Sequence, residues 1–301
     1  MRLPKFKSVR KRNKWLVENK ARMIQHKKAA VKECDVVEWE GSKSTLKSEL
    51  KQEDDDSTIY RTIVGNTYNW LDSHGDVHVK GIFSKSINER GDQVLHLHDH
   101  VQQLDAEVGE NLAVYEKDVA WKDLGVNAEG MTTALMMDSA IQKEMNPRIF
   151  AKYQKGRITQ HSVGMQYVKL DLAINDSEEK EEFEAWNKYI NQIQNKKQAE
   201  EAGYFFVVKE AKLIEVSCVI RGSNEITPTL EPKHDLDELL EVMEATKNAD
   251  ATDKEKFLHL CSQVEALKDN EPLNKTLVKQ EPRKAKSMFY KNLINDEKSH
   301  I

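Results

Sequence analysis

The sequence predicts an α+β fold, a mostly antiparallel sheet or barrel flanked by helices, with charged helical extensions at both ends. Three observations carry this expectation. Seven or so short β-branched and aromatic stretches fall between residues 58 and 230, as in an antiparallel strand core. Two helical stretches, one marked by capping residues and one by apolar residues spaced by three and four, interrupt them. Outside that window charged residues dominate, and residues 1–57 lack a sustained apolar stripe.

Residues 1–57 form the first unit, a charged extension that would also suit a propeptide. Twelve Lys or Arg and a single acid, Glu18, lie in residues 1–32, so the charge is strongly segregated. Residues 12–32 fit a helix with Trp15, Leu16, Met23 and Ile24 on part of one face. Residues 41–57 read as linker and include the acidic run Asp54, Asp55 and Asp56. The second unit, residues 58–230, holds strand candidates over 59–70, 94–98, 112–121, 131–137, 158–174, 204–208 and 212–220.

A helix is predicted over 139–155. Its second half has Asn146 as N-cap, Pro147 at the first helical position and Gly156 just past the end. Another is predicted over about 177–202, an insertion that opens on acids and stops at Gly203. Its apolar positions Phe183, Trp186, Ile190 and Ile193 form one stripe, which must lie on a surface or on a partner. The third unit, residues 231–301, repeats Leu236, Leu239, Leu240 and Met243, then Phe257, Leu258, Cys261, Val264 and Leu267, as short amphipathic helices.

Composition narrows the classes. Charged residues make up 32% and hydrophobic ones 39%, polar for one globule, which is why solvated helices are expected beside a core. Three cysteines (Cys34, Cys218 and Cys261) at wide spacing give neither a disulfide framework nor a zinc signature, and fit a reducing compartment. The basic N-terminus lacks the apolar core of a secretory signal. No run approaches the ~18 apolar residues of a membrane span. No membrane partner and no cofactor are expected.

Three segments carry chemistry. In Val94-Leu95-His96-Leu97-His98-Asp99-His100, strand alternation would turn Leu95 and Leu97 inward and put all three histidines on the other face. They would serve as metal ligands, as acid/base groups, or only as solvated side chains. In Gln160-His161-Ser162-Val163-Gly164, Ser162 shares a face with Gly164, which leaves space beside the hydroxyl, while His161 points the other way. An ordinary strand serine carries the same pattern. In Leu213-Ile214-Glu215-Val216-Ser217-Cys218, Glu215 and Ser217 lie opposite an apolar face. A carboxylate there is either solvated or held by a partner such as a histidine.

These segments, in this order, resemble the tailed-phage prohead proteases. Trp70-Leu71-Asp72-Ser73-His74-Gly75-Asp76-Val77, followed by Gly81-Ile82-Phe83, is similar to the opening Asp-x-x-Gly-Asp turn and Gly-x-Phe segment of that family. Leu97-His98-Asp99 resembles its His-Asp pair, Ser162-Val163-Gly164-Met165-Gln166-Tyr167 its nucleophile strand, and Leu213-Ile214-Glu215-Val216-Ser217 its Leu-x-Glu-Val-Ser strand. The resemblance covers residues 58–228. It departs at Arg221-Gly222-Ser223-Asn224, where the family usually has a Pro-rich end, and at the insertion.

The resemblance implies a barrel like that of the herpesvirus assembly proteases and a serine endopeptidase that matures viral capsids. Ser162 would be the nucleophile, His98 the base and Glu215 the third member, with Arg221 the nearest match to a loop arginine that assists the oxyanion. It further implies the major capsid protein, the scaffold and the protease itself as substrates. The setting would be the host cytoplasm inside the assembling procapsid, with the chain a homo-oligomer and nucleic acid not an expected partner.

Two other readings stay open. His96, His98 and His100 approach the strand pattern of a metal-dependent hydrolase, without clear further ligands. A non-catalytic capsid scaffold protein would use the charged ends, and its basic arm could meet nucleic acid electrostatically.

Overall fold

In a computed structural model, residues 3–29, 43–50 and 52–232 are described. The expected C-terminal amphipathic helices lie outside the described residues. Among the described residues no helix is long and apolar enough to cross a membrane.

The chain opens with helices α1 (Val9–Glu18) and α2 (Lys20–Ala29), followed by the short strand β1 (Lys47–Ser48). Then come β2 (Thr58–Thr67), β3 (Asp76–His78), α3 (Ser84–Arg90), β4 (Leu95–His98), β5 (Glu107–Ala120) and β6 (Met131–Gln142). After them follow α4 (Pro147–Gln154), β7 (His161–Ile174), α5 (Lys180–Tyr189), α6 (Lys196–Ala202), β8 (Tyr204–Cys218) and β9 (Thr229–Pro232). Nine strands make one sheet in the order β1–β9–β2–β6–β5–β4–β8–β3, with β7 paired along β8.

The α+β class holds and most strand pairings are antiparallel, but the sheet is open and mixed rather than a closed barrel. β3 and β4 both pair with β8 in parallel, and β1 pairs with β9 in parallel. These partners are far apart in sequence, and a parallel neighbour is reached only through a long crossover. Alternation of apolar residues cannot reveal that, because it is the same for both pairings. β7 runs antiparallel to β8 along its whole length, so β3 and β4 share the opposite edge of β8. The sheet curls enough for Gly65 on β2 to face Val216 and Val163. A Cβ at that position would lie 3.1 Å from a Val216 methyl, so the close approach favours glycine.

Several boundaries differ from expectation for local reasons. β6 continues to Gln142, so the helix expected over 139–155 is only α4, started by the Asn146 side chain accepting from the Ile149 amide at 3.2 Å. The expected 177–202 helix is two helices separated by a 3-10 turn at Ile190–Gln192, and Gly203 in the left-handed region closes α6. Its stripe packs on the sheet: Trp186, Tyr189, Ile190 and Ile193 cluster with Phe205 and Val207. The two strands expected at 204–208 and 212–220 are one, β8. The basic N-terminal helices join the fold, because Leu16 and Met23 are buried in the main core cluster with Trp15, Val17 and Ile24 against it.

Candidate active site

The centre of the site is set by ladder register. On β8, Ser217 faces Ser162 of β7 on one side and Leu97 of β4 on the other. One residue on, Cys218 faces His161 and His98. Directly opposed residues share a face of a sheet. Ser162, Gly164, Glu215 and Ser217 therefore share one face, while His161, Cys218 and His98 fall in the row of the other. The histidine expected as base is thus not brought to the face of Ser162, and its ring bonds to Asp99, the next residue, at 3.2 Å.

The expected inward Leu95 is 45% exposed, and His96 is fully buried. The ladder with β8 is unbroken from Leu95 to His98, so alternation holds and its direction is reversed, with His96 turned to the core and Leu95 and Leu97 on the face of Glu215 and Ser217.

His100 reaches the face of Ser162 by a tight turn. Asp99 and His100 have φ of 51° and 58°, and the Val101 amide donates to the His98 carbonyl at 3.0 Å. This is a four-residue turn with both central residues left-handed, a conformation that costs non-glycine residues of order 1–3 kcal/mol each. Such strain persists only where surrounding contacts hold it, and here they do. The His100 amide donates to the Ser217 hydroxyl at 3.1 Å. The Ser217 hydroxyl donates to Glu215 Oε2 at 2.7 Å. His100 Nδ1 donates to Glu215 Oε1 at 2.6 Å.

Glu215 is 1% exposed, so its carboxylate needs these donors to stay buried. It lies across the glycine of the neighbouring strand, and a Cβ on Gly164 would sit 1.9 Å from Glu215 Oε1. The space expected beside the Ser162 hydroxyl is therefore filled by the acid. Ser162 itself is 8% exposed, two residues along the strand from the carboxylate. Chemically the arrangement is an imidazole fixed by a buried carboxylate through Nδ1, on the same face as a serine. It leaves Nε2 as the nitrogen that can exchange a proton with a hydroxyl.

Behind this face lies a buried histidine chain. His161 Nδ1 donates to the Thr227 carbonyl at 3.1 Å, which leaves its Nε2 to accept from the Tyr153 hydroxyl at 2.8 Å. The Tyr153 oxygen then accepts from His96 Nε2 at 3.1 Å, and His96 Nδ1 accepts from Ser139 at 2.8 Å. Burial pushes the His161 pKa down to about 4 and that of His96 well below the usual histidine value, so both are neutral donors and acceptors. Burial also raises the Cys218 thiol to about 12, which removes it as a nucleophile at neutral pH.

The three histidines considered as metal ligands have three different settings: His96 in the core, His98 beside Asp99, and His100 on Glu215. Among the described residues no group of three or more His, Cys, Asp or Glu is placed to hold a metal. Arg221 is exposed just past β8. No family model, curated protein or solved structure matches this chain.

Proposed function

We propose that the chain is a serine endopeptidase of the capsid-maturation kind, with Ser162 as nucleophile, His100 as base and Glu215 orienting the base. The observation that carries the reading is the buried Glu215–His100 pair at 2.6 Å on the sheet face that also bears Ser162. Ser162 attacks a peptide carbonyl, His100 Nε2 takes the hydroxyl proton and returns it to the leaving amine, and Glu215 stabilises the imidazolium. His100 replaces His98 because Glu215 bonds to it and because His98 lies in the other register row. The order of sequence motifs supports the substrate class: scaffold, capsid protein and the chain itself, inside an assembling procapsid.

The test is co-expression with the capsid protein of the same virus, followed on gels over time. Ser162→Ala, His100→Ala and Glu215→Gln should each slow processing, the first two by roughly 10³-fold or more because such groups act as a unit. His98→Ala should process within a few-fold of wild type. Full processing by Ser162→Ala would end the protease reading. Loss in His98→Ala with retention in His100→Ala would return the base to His98.

A further inference from the structure

We infer that residues 3–29 are a permanent clasp, seated by a buried lysine socket at the far end of β8, and that they stay bound when the chain behind them is cut. The socket is built from the Asp-x-x-Gly-Asp turn. Asp72 Oδ1 accepts from the amides of His74 and Asp76, at 2.9 and 2.8 Å, and this fixes the turn. Asp76 is completely buried at its end. Lys27 of α2 meets Asp76 Oδ1 at 2.5 Å, donates to the His74 carbonyl at 3.2 Å and lies 4.6 Å above the Phe206 ring. The other oxygen of Asp76 accepts from the Tyr167 hydroxyl at 2.9 Å, and Tyr167 is bonded in turn to His78 at 3.1 Å.

A carboxylate with no exposed surface depends on its cation, and removing one partner of such a pair is strongly unfavourable. The rest of the arm is anchored in the same way. Arg12 donates to the Ala202 carbonyl at 2.7 Å and lies over the Tyr204 ring, Asn13 bonds Asp176 at 3.0 Å, and Lys20 meets the buried Glu182 at 2.7 Å. Leu16 is fully buried beneath them. Asp76 pairs with Phe206, eleven residues along β8 from the Ser217 that faces Ser162. The clasp is therefore separate from the proposed catalytic face and holds whether or not that face is an enzyme.

The experiment uses the full chain with a recognition sequence for an added protease inserted between residues 29 and 43, cut after folding and passed through gel filtration. The wild-type arm should co-elute with the body after cutting. Lys27→Met should weaken its retention roughly 100-fold or more, since Asp76 is then buried without its cation. Lys27→Met with Asp76→Asn should regain much of it. Release of the wild-type arm on cutting would overturn the clasp. Equal retention in wild type and Lys27→Met would overturn the socket's part in it. If Lys27→Met alone does not fold, the double variant decides: release of its arm, with the wild-type arm retained, would overturn the pairing.

Discussion

Ser217 is the smallest group on which the site depends. Its hydroxyl donates to Glu215 and accepts from the His100 amide, so it holds both the acid and the strained turn. Ser217→Ala leaves a buried carboxylate oxygen with one donor fewer, a loss of about 1.5–3 kcal/mol for a bond to a charged group. Urea unfolding should register that loss, and kcat should fall while KM changes little, because His100 loses its alignment and no substrate contact is touched. Unchanged stability together with unchanged kcat would exclude this role. Gly164 makes the same point by steric means: Gly164→Ala cannot keep Glu215 where it is, so its processing defect should match that of Glu215→Gln. Neither role was legible in the sequence. Alternation placed Ser162 with Gly164 and Glu215 with Ser217 correctly, yet His98 and His100 have the same spacing parity. Only the left-handed turn at Asp99–His100, which alternation cannot encode, separates them.

Among the elements, α4 links the histidine chain to the sheet through Tyr153. Its start was readable, since Asn146 followed by Pro147 is a local capping signal. The end of β6 was not, because the strand continues into a stretch that also fits a helix. Asn146→Ala should cost about 1 kcal/mol, read as a lower urea midpoint with unchanged slope. The chain itself has a pH signature. His161, held at about 4 against an ordinary 6.5, contributes stability that is present above pH 6.5 and lost as pH falls through 4. This amounts to roughly 3 kcal/mol. In NMR spectra at pH 5 the His96 and His161 rings should remain neutral in the folded protein. Titration of either near 6.5 would contradict the buried chain.

For the whole molecule, the strands and their order along the chain were largely legible, whereas the pairing was not. Parallel contacts of β8 with β3 and β4 join segments more than a hundred residues apart, and local pattern carries no information about partners at that range. The same long-range pairing builds the proposed site, since Glu215 with its His100 partner and Ser162 share a face only when β4, β7 and β8 lie side by side. The insertion supports that ribbon from outside, with the Trp186 ring 5.1 Å from that of Phe205. Trp186→Ala should lower stability by about 3–5 kcal/mol while leaving the rate per folded molecule unchanged, as thermal unfolding and active-site counting would report. The most direct test of the central claim is labelling of the purified chain with a serine-directed phosphonate, mapped by mass spectrometry. The account predicts a single adduct on Ser162, formed at a near wild-type rate in His98→Ala and at least ~100-fold more slowly in His100→Ala. Absence of an adduct at Ser162, or an equal rate in His100→Ala, would contradict it.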